Sequence, residues 1–141
     1  MNGKNELIFT NGCFDVIHRG HIELLWYCAS LGEVIIGLNS DNSVKRLKGE
    51  GRPINSEIDR KYILESLKCV SKVMIFEEDT PYELIKKVKP DLIVKGGDYT
   101  SDQVIGRDIC KVLIFDKVKD YSTTNIVNTL AKDSSFKASS P

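Results

Sequence analysis

The chain has 141 residues, of which 20 are basic and 20 acidic, for a formal net charge of zero. This length supports one domain with a real core and is too short for two ordinary ones. The balanced charge excludes a global field that would draw in nucleic acid or an anionic membrane, so any polyanion site must be local. No apolar stretch approaches the roughly 20 residues that span a bilayer, and the N-terminus has no basic-then-apolar leader pattern. A cytoplasmic protein is expected, with neither membrane nor nucleic acid among its partners.

Residues 1–5 are polar and expected to be loose, and Glu6 to Thr10 reads as a buried strand. A helix follows from about Gly20 to Leu31, with Ile22, Leu25, Trp26 and Ala29 on its apolar stripe and Gly32 as its C′ residue. Glu33 to Leu38 is the next strand, and the turn-rich Asn39-Ser40-Asp41-Asn42-Ser43 then caps a short helix carrying Lys45, Arg46 and Lys48. Gly49-Glu50-Gly51-Arg52-Pro53 is a loop. Ser56-Glu57-Ile58-Asp59 has the form of a capping box and opens a helix whose apolar stripe includes Ile63, Leu64 and Leu67. Lys72 to Phe76 is a third strand. Thr80 as N-cap, Pro81 at N1 and Glu83 at N3 start a helix that buries Leu84, Ile85 and Val88 and stops at Pro90. Asp91 to Val94 and Val112 to Phe115 are the fourth and fifth strands. Ser122-Thr123-Thr124 caps a last helix with Ile126, Val127 and Leu130 inward, and residues 132–141 read as a disordered tail. Cys13, Cys28, Cys69 and Cys110 are scattered with no C-x-x-C pair, which predicts reduced thiols rather than a zinc ribbon or a disulfide framework.

Strands alternating with helices, each strand apolar throughout, predict an α/β fold: a doubly wound, five-stranded parallel sheet covered on both faces. In that class ligands bind outside the carboxyl ends of the strands, where the strand order reverses. The polar clusters Thr10 to His21, Asn39 to Asp41 and Lys95 to Asp98 all follow strand ends, so they should converge on one edge.

Thr10-Asn11-Gly12-Cys13-Phe14-Asp15-Val16-Ile17-His18-Arg19-Gly20-His21 holds both histidines of the chain, three residues apart, on a strand-to-helix turn. The first N–H groups of a helix have no intrahelical partner and carry partial positive charge, so an anion is welcome there. The two imidazoles fit phosphate binding, part of a metal site, or a satisfied structural pair; a metal would need further ligands, and no third histidine exists. Gly12 and Gly20 permit close approach of the backbone to a ligand or of helix to sheet.

Neither G-x-x-x-x-G-K-[ST] nor G-x-G-x-x-G occurs. The H-x-G-H turn instead resembles the nucleotidyltransferase superfamily of cytidylyltransferases, pantetheine-phosphate adenylyltransferase and class I tRNA synthetases. Further motifs sharpen the resemblance. Thr10-Asn11-Gly12-Cys13-Phe14-Asp15, Asn39-Ser40-Asp41, Lys45-Arg46-Leu47-Lys48-Gly49, Arg52-Pro53, Phe76 to Pro81, Pro90 to Tyr99 and Ser122-Thr123-Thr124-Asn125-Ile126 occur in this order. Together they are similar to the D-glycero-β-D-manno-heptose 1-phosphate adenylyltransferase domain of ADP-heptose synthase, a domain that in many relatives follows a sugar kinase domain and here is expected to stand alone.

The resemblance implies a Rossmann-like nucleotidyltransferase domain over residues 1–131. It implies transfer of a nucleotidyl group from a nucleoside triphosphate, ATP foremost, to a sugar 1-phosphate with release of pyrophosphate, Mg²⁺ as cofactor, no metal-ligating residues of its own, and a homodimer. Transfer from CTP to a polyol phosphate such as glycerol 3-phosphate is the alternative, and a non-catalytic nucleotide-binding module a third. His18, His21, Lys45, Ser122 and Thr123 are the implied catalytic residues. Thr10, Asn11, Gly12, Cys13, Phe14, Asp15, Gly20, Lys95, Gly97, Asp98 and Thr124 would line the nucleotide. Asn39, Asp41, Lys48, Arg52 and Arg60 would take the acceptor, with a surface ion pair to Glu57 or Glu65 as the alternative for Arg60. A shortened stretch from Val104 to Val112 leaves the acceptor sugar open.

Overall fold

The structure, a computed structural model, describes residues 6–116. Neighbouring apolar residues on each strand point to opposite faces of the sheet, so an unbroken apolar run supplies two cores at once. Ile8, Val34, Ile36 and Val94 pack on one face with Leu25, Cys28 and Leu64, whereas Phe9, Ile35 and Ile93 pack on the other with Leu84 and Ile85. Five strands result: β1 Leu7–Gly12, β2 Glu33–Asn39, β3 Lys72–Phe76, β4 Leu92–Gly96 and β5 Lys111–Phe115. The helices between them are α1 Arg19–Leu31, α2 Asp41–Lys48, α3 Glu57–Glu65 and α4 Tyr82–Val88.

All strand pairs are parallel, in the order β3-β2-β1-β4-β5. The chain builds outward from β1 to β3 and then returns to the other side of β1 for β4 and β5. The reversal therefore lies between β1 and β4, and the carboxyl ends of these strands flank the natural ligand crevice. The doubly wound parallel sheet expected from the sequence is the one observed. No helix among the described residues is long and apolar enough to cross a membrane.

Several local expectations change. Trp26 is 52% exposed, and α1 buries Leu25, Cys28 and Gly20 instead. Ile63 is 39% exposed while Leu64 is fully buried, and Leu67 lies beyond the end of α3 although it packs on the core. In both helices the sheet selects a narrower stripe than the apolar spacing offered. Ser56 caps α3 as expected by accepting from the Asp59 N–H. At α4 the N-cap is Pro81, not Thr80, and no side chain caps it; Thr80 Oγ1 lies 3.5 Å from the Tyr82 nitrogen. The stretch after β4 contains a 3₁₀ turn, Ser101–Gln103, followed by Val104 and Ile109, which join the core under α4. The predicted helix from Ser122 to Leu130 and the tail at 132–141 lie outside the described residues.

Gly32 is needed for space rather than for a left-handed cap. Its φ of 168° is extended, but a Cβ there would sit 2.3 Å from the Glu6 carbonyl oxygen. That same oxygen accepts the Glu33 N–H at 2.8 Å, the contact that starts the β1–β2 ladder. Neither backbone can retreat without breaking it. Gly32→Ala should therefore fall in the upper part of the usual range of about 0.5–3 kcal/mol for destabilising substitutions, read from the midpoint of chemical denaturation.

Candidate active site

The carboxyl ends of β1, β2 and β4 open into a cavity of about 600 Å³, within the range of about 300–1,000 Å³ typical of small-ligand sites. Thr10, the turn after β1, His18, His21, Lys48, Arg52, Lys95 and Tyr99 line it. Thr10 Oγ1 is buried in this wall with no hydrogen-bond partner among the described residues, a condition rare enough in folded proteins to mark a position that a ligand can satisfy.

The turn after β1 is built to present the two histidines. Phe14 adopts a left-handed backbone with φ 47°, and its buried ring tilts against that of His21 at 5.1 Å between centroids. A non-glycine residue held in that region costs energy, and the surrounding packing must hold it there. His18 is the N-cap of α1, and its Nδ1 accepts the Gly20 N–H at 3.1 Å. The His18 N–H in turn donates to His21 Nδ1 at 3.2 Å, closing a reciprocal capping box. In a neutral imidazole whose Nδ1 accepts, the hydrogen must sit on Nε2. Both rings are thus set in the same tautomer, stacked 3.8 Å apart at 28°.

A second layer of polar contacts shapes the cavity wall. The buried Asp15 carboxylate accepts from Arg52 Nε at 2.8 Å, from the Ile54 N–H at 2.7 Å and from the Asn55 N–H at 2.9 Å. Burial pushes its pKa up, but the Asn55 and Ile54 N–H groups and the Arg52 guanidinium outweigh this and hold it below the ordinary 3.8. Asp15 is therefore an anchor that ties the loop 49–55 to the β1 turn, and its oxygens are already engaged by the protein.

Arg60 behaves likewise. It is 1% exposed, so the expected alternative of a surface ion pair is overturned. Its guanidinium donates to the carbonyls of Cys13, Asn39 and Asn55 and to the Asp41 carboxylate, at 2.8–2.9 Å. Of the two expected partners, Glu57 instead accepts the Asp41 N–H and Glu65 accepts from Lys61 Nζ, both at 2.8 Å. Arg60 supports the site without lining the cavity, whereas Asp15 lines it with its carboxylate oxygens already engaged by the protein.

The remaining expected residues divide. Asn11, Gly12, Cys13, Gly20, Asn39, Lys48, Arg52, Lys95 and Asp98 line the cavity with the histidines. Lys45 and Asp41 face a shallower depression that shares Arg52 with it, and Gly97 does not line the cavity although Gly96 does. Asn39 Nδ2 donates to Ser43 Oγ, so its amide is partly engaged. Burial raises the Cys13 thiol pKa, opposed by Lys48, Arg60 and Arg52, and burial with the neighbouring Cys69 pushes Cys28 up to about 12. All four cysteines are free thiols. Ser122, Thr123 and Thr124 lie outside the described residues.

Two contributors escaped the sequence reading. Asn55 donates from its side chain to the Asp15 carbonyl as well as from its backbone, and Tyr99 sets its ring over Lys95 Nζ at 4.6 Å. Asn55 had a visible signal, being a turn former directly before a helix cap; Tyr99 had none beyond its place after Asp98.

Residues 9–139 match the cytidylyltransferase-like family. The chain belongs to that family. Among curated relatives, bifunctional protein HldE of a Nitratiruptor species is 58% identical over 89% of this chain, and that of Campylobacter concisus is 52% identical over 92%. The chain spans 28% of the length of each. Among solved structures, the lipopolysaccharide core biosynthesis protein of Thermoplasma volcanium superposes with a TM-score of 0.69 at 28% identity, covering 84% of this chain and all of that one. Pantothenate synthetase of Thermus thermophilus superposes at 0.60 with 16% identity, covering 86% of this chain and 61% of that one, and shares the fold.

The Asp15 anchor bears on acid stability in this family member. A carboxyl whose folded pKa is depressed contributes stability above its unfolded value, here near 3.8, and that contribution is lost as pH falls through the folded pKa. Asp15→Asn should therefore lower stability at pH 7 and show a shallower loss than the parent as pH drops below 4, as followed by urea denaturation at a series of pH values.

Proposed function

We propose that the chain transfers the adenylyl group of ATP to a heptose 1-phosphate, giving the nucleotide-sugar and pyrophosphate. The observation that carries this reading is the pair of stacked imidazoles at the α1 N-terminus, both locked as Nε2–H donors in the wall of a cavity at the sheet's reversal point. The relatives support the choice of substrates, since the C-terminal domain of HldE is the heptose 1-phosphate adenylyltransferase. They favour ATP and a heptose phosphate over CTP and glycerol 3-phosphate.

In this reaction a phosphate oxygen of the acceptor attacks the α-phosphorus in line. The new P–O bond forms as the bond to the bridging oxygen of the β-phosphate breaks, and pyrophosphate departs with the electron pair. Such a displacement needs positioning and charge neutralisation more than covalent help. His18 and His21 donate hydrogen bonds to the non-bridging oxygens as charge grows on the transition state and the leaving group. Lys48 and Arg52, which line the same cavity, supply further positive charge. Ser122, Thr123 and Thr124 are assigned to the β- and γ-phosphates in the same reading.

The described residues offer no cluster of three or more His, Cys, Asp or Glu side chains that could hold a metal, and the Asp15 carboxylate is engaged by Arg52, Ile54 and Asn55. A protein cage for Mg²⁺ does not fit these residues; the ion enters as part of the substrate, bound to the triphosphate oxygens as Mg²⁺ commonly is. A cytoplasmic location and association into a homodimer belong to the same proposal.

Pyrophosphate release should occur with ATP plus D-glycero-β-D-manno-heptose 1-phosphate and not with CTP plus glycerol 3-phosphate; folded protein that turns over neither pair would refute the reading. His18→Ala and His21→Ala should each lower kcat by roughly 10²- to 10³-fold, the scale for losing one transition-state donor, while circular dichroism stays that of the parent. An unfolded variant would mark the ring as structural instead.

A further inference from the structure

Lys95 closes the carboxyl end of β4 in the cavity wall, and its side chain is unusual for a lysine. The residue is 8% exposed, and its ammonium donates to the Asn11 carbonyl at 3.0 Å and approaches Asn11 Oδ1 at 3.4 Å. The Tyr99 ring lies over it. An ammonium has three N–H donors, and among the described residues its partners are neutral: a carbonyl, an amide oxygen and an aromatic face. Among the described residues no carboxylate forms an ion pair with it. Buried charges are ordinarily paired, because the ion loses its hydration and only a counter-ion restores it.

We propose that Lys95 is a positioning residue whose counter-charge is the bound nucleoside triphosphate: it fixes the Asn11 amide in the cavity wall and draws a proton when the polyanion binds. This rests on the nucleotidyltransferase reading and assigns within it a group that responds to the nucleotide rather than gripping it. The groups facing Lys95 are few. Asp98 and Tyr99 follow it on the same segment, Cys13 faces it from the β1 turn, Asp116 borders the neighbouring Gly97 after β5, and His18 and His21 stand in the wall of the same cavity. Burial pushes the ammonium down from 10.5 to about 8, with the Asp98 carboxylate opposing. Because Cys13 and Tyr99 are themselves pushed up, largely by burial, both stay neutral near that pH. Asp98 is exposed and screened by water, so it is a weak substitute for a true partner. A triphosphate in the cavity adds several negative charges where the described residues supply Lys95 with none in direct contact.

A lysine thus has a reason to occupy a place where an apolar residue would pack more cheaply. Its two contacts with Asn11 set which way that amide faces, and they are charge-assisted, hence strongest, while the amine carries its third proton. Nucleotide binding would therefore tighten the same contacts that shape the wall around it.

The test is a direct titration of the Lys95 Cε resonance in protein labelled with ¹³C-lysine and assigned through the backbone, from about pH 6.5 to 10 so as to span both the shifted and the ordinary lysine values, in the free protein and with saturating MgATP or adenosine. The free midpoint should lie near 8. MgATP should raise it by at least about one unit, a tenfold gain in proton affinity, whereas adenosine, which carries no phosphate, should leave it in place. A free midpoint at the ordinary lysine value, or one that MgATP does not move although it shifts the Gly20 and His21 amide resonances, overturns the assignment of Lys95 alone. If MgATP perturbs no resonance at all, the nucleotidyltransferase reading fails and this proposal with it. Lys95→Arg keeps a cation that does not titrate in this range, so the rise in KM for ATP between about pH 7 and pH 9.5 should be several-fold smaller than in the parent; an unchanged rise would also overturn it. Where that variant does not fold, the resonance titration of the parent chain decides.

Discussion

One buried guanidinium holds the ligand end of this molecule in shape. Arg60 comes from α3, yet it binds the carbonyl after β1, the carbonyl at the end of β2, the carbonyl preceding α3 and the carboxylate that opens α2. Parallel strands end in carbonyl groups with no partner, and at the edge of a sheet those groups must find donors or water. A planar cation with five N–H groups can serve several at once without a flexible chain at each, which a lysine could not do. The desolvation of that cation is offset by the Asp41 carboxylate and by the carbonyl dipoles converging on it, so removing any member would leave the others exposed to the same penalty.

Asp15 complements Arg60 from the β1 turn. It gathers the N–H groups of Ile54 and Asn55 and the Arg52 side chain, so that the loop after α2 is drawn toward the cavity. The two networks meet at Asn55, whose carbonyl goes to Arg60 and whose N–H and side chain go to Asp15. Arg52 is thereby held in the cavity wall by a carboxylate that cannot itself turn toward a ligand. A cation on a rigid support would lose less entropy on meeting an anion than a free surface lysine.

These two networks give the histidine turn a rigid base. A left-handed Phe14, a reciprocal cap between His18 and His21 and a 3.8 Å ring stack leave each imidazole one tautomer and little freedom. Preorganised donors of this kind stabilise developing charge without reorganising at the moment of reaction. Lys95 differs in kind, a buried cation whose contacts among the described residues are all neutral. The imidazoles at the helix terminus and this buried charge border the same cavity.

The sequence alone determined the five strands, the parallel sheet and the convergence of the Thr10, Asn39 and Lys95 clusters, because apolar runs and caps are local signals and the crevice position follows from topology. It also determined the histidine pair and, through the ordered motifs, the family. Which face of each helix would be buried was not legible: Trp26 and Ile63 fit the apolar spacing, but the sheet offers contact to only part of each stripe. Nor was it legible which polar side chains are already engaged by the protein itself. Arg60 and Asp15 stand among the other polar residues just as ligand contacts would, and only the tertiary structure shows their polar atoms saturated by carbonyls and N–H groups from up to 47 positions away. Lys95 is the converse case, one of many lysines in sequence, set apart by what surrounds it in space. Burial and the identity of polar partners depend on chain segments far apart along the backbone, and no window of sequence contains them.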